Sequence, residues 1–178
     1  MGTLENPATK VVDGVFSYYD GESFKGVGAQ HRWVSGGDFV TNAGSGAAGV
    51  AGGAPGWLLD AASDESVIAS VQLPSGWTAF TATVYWSNAS TGAGAVVWDV
   101  NVSSLAAGAA PGAGTTNSVT ATASTTQHLV VASAVATAFS ITDSVPFRLR
   151  VNRDADNGAD TVANDANFLG VLLTRVMD

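Results

Sequence analysis

From residue 65 onward apolar and polar side chains alternate, and the alternation comes in short blocks. In 65–74 ("ESVIASVQLP") Val67, Ala69, Val71 and Leu73 share one side, with Ser66, Ile68, Ser70 and Gln72 on the other. In 79–87 ("AFTATVYWS") Phe80, Ala82, Val84 and Trp86 oppose Thr81, Thr83 and Tyr85. In 95–103 Val96, Trp98, Val100 and Val102 oppose Asp99, Asn101 and Ser103; in 146–153 Phe147, Leu149 and Val151 oppose Arg148, Arg150 and Asn152. Successive strand residues point to opposite faces, so this period of two predicts half-buried strands. Further strands are expected at 117–124 (small, polar and suited to a sheet edge), 127–135, 138–142 and 167–176. Turn formers at 74–76, 90–94, 106–114 and 154–160 separate them. Only 160–166 leaves room for a helical turn. Short strands at this spacing predict an all-β fold, a jelly-roll-like antiparallel β-sandwich of about eight strands.

The first third of the chain reads differently. Short aromatic pieces at 15–19, 31–34 and 38–40 are cut by Gly14, Gly21, Gly26, Gly28, Gly36 and Gly37. They suit strands or an extended arm rather than helices. Residues 44–49 spell G-x-G-x-x-G, the dinucleotide-binding fingerprint. That fingerprint requires a helix opening at its glycines. Gly49, Gly52, Gly53, Pro55 and Gly56 follow at once. Each Gly costs about 1 kcal/mol against Ala and Pro about 3, so the helix fails and a Gly/Ala linker or long loop is expected. The break near residue 56 divides the chain into 1–56, an N-terminal arm or small β segment, and 57–178, the sandwich.

Charge narrows the function. The formal net charge is −8, with only seven Lys and Arg, and no basic cluster forms. Binding to nucleic acid or to an anionic membrane is therefore not expected. No apolar run approaches the roughly 20 residues of a membrane span, and the N-terminus lacks the order of a signal peptide. Cysteine is absent, which removes thiol catalysis, Cys-ligated zinc and disulfides.

Candidate chemistry is sparse. The polar stretch 153–167 carries Asp154, Asp156, Asn157, Asp160 and Asp165, oxygen ligands that calcium could use. The EF-hand spacing fails, because Gly158, Ala159 and Asp165 occupy positions that need other residues. The expectation is a structural loop in which Arg153 pairs with one or more of Asp154, Asp156, Asp160 and Asp165. Nothing selects a catalytic pair among Asp60, Asp64, Glu65 and Asp99. His31 and His128 are the only histidines, and no nucleophile elbow accompanies them. No enzyme activity and no cofactor or metal are expected. Trp86 and Trp98 belong to a core, whereas Trp57 and Trp77 stand at strand entries. His31, Arg32 and Trp33 are assigned to partner contact. Exposed tryptophans also raise sugar binding as an alternative.

The C-terminal third carries a resemblance. In "PFRLRVNRDADNGADTVANDANFLGVLLTRV" a strand ends in Arg153, an acidic loop carries Asp160-Thr161, and a final strand runs Leu169-Gly170-Val171. Together with "WLLDAASDESVIASVQLPSGW" and "ATVYWSNASTGAGAVVWDVNV", this resembles a β-sandwich domain of tailed-bacteriophage virion proteins, over 57–178. The resemblance implies a jelly-roll-like homotrimer made in the host cytoplasm and placed on the virion exterior. It implies capsid decoration, with the major capsid protein as partner, since the chain lacks the heptads or shaft repeats of a fibre. The alternative it leaves is a tail-fibre or spike tip that recognises host glycans.

Overall fold

The alternating blocks fold into strands whose apolar sides meet between two sheets. In this computed structural model the described residues are 9–12, 15–19, 24–27, 30–43, 46–51 and 54–177. They fall into two compact units, Met1–Gln30 and His31–Asp178. In the first, β1 (Thr9–Val12), β2 (Val15–Tyr19) and β3 (Phe24–Val27) form an antiparallel three-stranded sheet.

The second unit is the jelly-roll-like antiparallel β-sandwich. Its strands begin with β4 (His31–Ser35), β5 (Val40–Ala43), β6 (Ala47–Ala51) and β7 (Ala54–Leu59). They continue with β8 (Glu65–Val71), β9 (Ala79–Asn88), β10 (Ala95–Ser104) and β11 (Thr115–Thr122). The last are β12 (Val130–Ala134), β13 (Phe139–Ser140), β14 (Phe147–Arg153) and β15 (Ala166–Arg175). The smaller sheet has the order β11-β10-β14-β8-β5, with β11 at its edge. The larger sheet runs β12-β9-β15-β7-β6, with β13 also on β9 and β4 also on β15.

The inward sets anticipated from periodicity form the core. Val67, Phe80, Ala82, Val84, Trp86, Val96, Trp98, Val100, Leu149 and Val151 are fully or almost fully buried. Phe80 stacks on Phe147 at 5.3 Å, and Trp98 lies between Trp86 and Phe168 at 5.7 and 6.3 Å. Burying each large side chain contributes about 1.5–3 kcal/mol, which outweighs the ordering of short strands.

Two expectations need correction. The sandwich begins at His31, not at residue 57. The Gly/Ala stretch is no linker in its described part: β6 and β7 form a hairpin, with Ala47 opposite Leu58 and Ala51 opposite Ala54. Gly44 and Ser45 lie outside the described residues. Small side chains hide this hairpin from a pattern search, and packing demands them. A Cβ on Gly56 would stand 2.2 Å from the Phe168 carbonyl oxygen. The helical turn allowed at 160–166 is absent; among the described residues a single 3-10 turn forms, at Gly36–Asp38, capped by Ser35.

Candidate functional site

Once Val84 and Leu173 point inward, their strand neighbours Thr83, Tyr85, Leu172 and Thr174 must face outward. β4 lies antiparallel to the second half of β15 and adds its own outward residues. Trp33 stands opposite Leu172 and His31 opposite Thr174. The Trp33 ring meets Tyr85 edge-on, with centroids 5.3 Å apart and planes at 87°. Trp33 is nevertheless 44% exposed, the most exposed aromatic side chain among the described residues of the sandwich.

A missing side chain makes this arrangement possible. Tyr85 stands opposite Gly170, just past a register shift between Phe168 and Gly170. A Cβ on Gly170 would lie 2.6 and 2.7 Å from Trp33 ring carbons. The indole therefore lies across the glycine, against the sheet, instead of standing free. His31 Nδ1 and Thr174 Oγ1 are 3.1 Å apart and fix the neighbouring polar pair. On the other side of Tyr85, β12 presents Val130, Ala132 and Ala134, all exposed, with Ala132 directly opposite Tyr85. The result is an exposed indole with the Tyr85 ring set at right angles beside it, rimmed by hydroxyls and an imidazole and open to solvent. Of the three residues assigned to partner contact, Trp33 and His31 belong to this surface, and Arg32 is exposed beside them. Tyr85 was not singled out, although an aromatic residue on the polar side of an alternating strand is a readable signal.

The second predicted cluster separates into two. Arg153, fully buried at the end of β14, uses its whole guanidinium. Nε donates to Asp160 Oδ2 at 3.0 Å and Nη2 to Asp160 Oδ1 at 2.8 Å. The carbonyls of Leu59, Asn164 and Val162 accept the remaining bonds at 3.2, 2.8 and 2.7 Å. Asp160 Oδ2 also accepts from Val97 N–H, and Thr161 Oγ1 accepts from Ala95 N–H. This knot closes one end of the sandwich and leaves no free donor for chemistry.

Asp154 and Asp156 are not partners of Arg153. They gather with Asp64, one carboxylate oxygen of each within 4.8 Å of the others. Asp64 Oδ1 accepts from the Ala155 and Asp156 N–H groups at 2.8 and 3.3 Å. These three could supply oxygen ligands to a divalent cation, which takes about six to eight. Asp165 stands apart, and burial pushes its carboxyl pKa up. Asp60 and Glu65 lie near Asp165 and add repulsion to that rise, with Glu65 accepting from the Asp60 N–H at 2.8 Å, whereas Asp99 pairs with Ser118 on the smaller sheet.

Sharing a hydrogen bond with Asp154, with Asp64 adding repulsion, raises the Asp156 pKa above the ordinary 3.8. Asp143 is lowered, chiefly by the Gly76 N–H that it accepts. Carboxyl NMR titration should find Asp156 protonating at higher pH than Asp143. For Asp156 the folded value exceeds the unfolded one, so its small contribution favours folding at low pH and fades as pH rises through that value. Coincident midpoints would contradict the assignment.

No protein-family model and no curated protein matches the chain. Solved structures do. The chain is similar to a carbohydrate-binding module, CBM36, in complex with calcium and xylotriose: TM-score 0.50, 9% identity, covering 80% of this chain and 99% of that one. It is also similar to part of the isomalto-dextranase of Arthrobacter globiformis T6, complexed with panose: TM-score 0.51, 15% identity, covering 81% of this chain and 23% of that one. At these identities the likeness is one of fold.

Proposed function

We propose that the sandwich unit is a glycan-binding module and that the Trp33–Tyr85 surface is where a sugar ring lies. The observation that carries this reading is an exposed indole held rigidly over a glycine. A pyranose presents an apolar C–H face and an equatorial rim of hydroxyls. The indole matches the first, and His31, Thr83 and Thr174 stand where they can bond the second. Because Gly170 and Tyr85 already fix Trp33, little side-chain entropy is lost on binding.

The fold supports the same direction, since both solved structures above were determined with saccharides bound. This takes up the glycan alternative in preference to capsid decoration. The residues that carried the virion resemblance support that preference too. Arg153, Asp160-Thr161 and Gly170 all close or pack the sandwich. Their spacing therefore reports the architecture and not the place where it is used.

Titration calorimetry with xylotriose and panose, backed by a glycan array, tests the proposal. Truncating a rigid aromatic anchor costs about 2 kcal/mol or more, so Trp33→Ala should weaken binding at least about 30-fold. Its thermal midpoint should change little, because the ring is largely outside the core. Absence of binding to any glycan, or equal binding by wild type and Trp33→Ala, would refute the reading.

A further inference from the structure

The outer face of the smaller sheet holds buried polar atoms that bond no described residue, although the Asn101 amide nitrogen itself donates to the Ala113 carbonyl and Thr116 Oγ1. Of the six buried side-chain polar atoms without a partner among the described residues, four lie here: Arg148 Nε, Arg150 Nε, Asn101 Oδ1 and Ser103 Oγ. They are cross-strand neighbours, Asn101 opposite Arg150 and Ser103 opposite Arg148. Asn101 and Ser103 are 2% and 3% exposed. Arg148 makes one long bond, 3.4 Å to the Gly112 carbonyl, and Arg150 makes none among the described residues. An unpaired buried polar atom costs about 1–3 kcal/mol, so four on one face is a concentration to explain.

The same face is grooved. A cavity of about 350 Å³ runs between Leu105 and Pro111 on one side and Asp38 and Val40 on the other, with Ile68, Ser70 and Arg148 on its floor. Arg150, two residues along β14 from Arg148, stands opposite Ile68, a residue of that floor. In a chain of net charge −8 this is a local pair of cations with no ion pair to either guanidinium among the described residues. A guanidinium fork matches a planar carboxylate, the exposed Ser70 hydroxyl beside it can bond a ligand hydroxyl, and Ile68 and Val40 offer an apolar wall. Asp38 at the rim disfavours a densely charged ligand.

We infer that this groove is a second binding site, taking one carboxylate on a hydroxylated ring, the chemistry of a uronic-acid residue in a glycan. It extends the saccharide reading to a different sheet face and does not involve Trp33. The test follows the arginine Nε–Hε resonances during titration with trigalacturonate, and with uncharged xylotriose as the control. Trigalacturonate should move the Arg148 and Arg150 signals. Arg150→Gln should weaken that binding about tenfold, the worth of one charge-assisted pair, with an unchanged thermal midpoint. About 1 M salt, where the screening length falls to roughly 3 Å, should weaken it as well. Trp33→Ala should leave it intact even where xylotriose binding is lost, so the two sites fail separately. Stationary arginine signals, equal shifts with xylotriose, or wild-type affinity in Arg150→Gln would overturn the inference.

Discussion

Asp160→Ala is expected to lower the stability of the sandwich by about 3–5 kcal/mol, because it leaves a buried guanidinium without its counter-charge. The Arg153 and Asp160 side chains are 0% and 1% exposed, and their bond is 2.8 Å. Two charges at this depth persist only when each hydrogen-bonding atom is used, and here all of them are. Asp160→Ala removes both acceptors of the fork, one of which also holds the Val97 N–H. The carbonyls of Leu59, Val162 and Asn164 cannot neutralise the charge that remains. For a domain of this size the loss corresponds to roughly 6–20 °C in thermal midpoint, and to a large part of a typical 5–15 kcal/mol total. Urea unfolding followed by tryptophan fluorescence measures it. Arg153→Met should cost similarly, since it strands Asp160 and three carbonyls. The double variant should be less destabilised than the sum of the two, because each single change leaves the other group unpaired. A loss under about 1 kcal/mol for Asp160→Ala would mean that water satisfies Arg153 and that the knot is peripheral.

Gly170→Ala should damage stability and recognition together. The residue adopts φ +148°, outside the range that side chains favour, and its Cβ would stand 2.5 Å from the Val34 carbonyl oxygen. Backbone strain and overpacking each cost about 1–3 kcal/mol, so a loss on the order of 3 kcal/mol is expected. The added methyl also strikes the Trp33 ring and must lift it from the sheet. Glycan affinity should then fall as far as it does in Trp33→Ala. Adding Trp33→Ala to Gly170→Ala should return part of the stability, since one of the two clashes disappears, while the contact with the Val34 carbonyl stays. Full affinity in the glycine variant would show that the indole binds nothing or finds its place without the sheet.

Much of the sandwich was legible because β8, β9, β10 and β14 are half-buried strands, where burial imposes a strict period of two. Val67, Trp86, Trp98 and Leu149 could be placed inward from spacing alone. The strands from β4 to β7 were not legible as part of it. Their composition serves close approach of backbones, as at Gly56, and small residues carry no periodicity. The site was half visible. Trp33 was assigned to partner contact together with His31 and Arg32, and Tyr85 lay on the polar side of its strand. Their meeting requires β4 to lie against β15, a pairing that joins residues 143 positions apart in the case of His31 and Thr174. No local pattern encodes that. The acidic loop shows the same division. That Arg153 has a carboxylate partner follows from its depth at a strand end; that the partner is Asp160, with Asp154 and Asp156 turned toward Asp64, depends on how 154–165 folds back.

β15 sits between β9 on one flank and β7 and β4 on the other, yet it is the last of the sandwich strands to leave a ribosome. Until it emerges, β4 has no ladder to join, the β6–β7 hairpin has no sheet to extend, and one edge of β9 stays unpaired. The earlier strands must therefore wait in a loose, association-prone state, and closure becomes a late event governed by long-range pairing, with the millisecond-to-second pace of such topologies. The Trp33–Tyr85 surface would come into being in that final step, so a nascent or prematurely terminated chain would carry the tryptophan but not the seat beneath it.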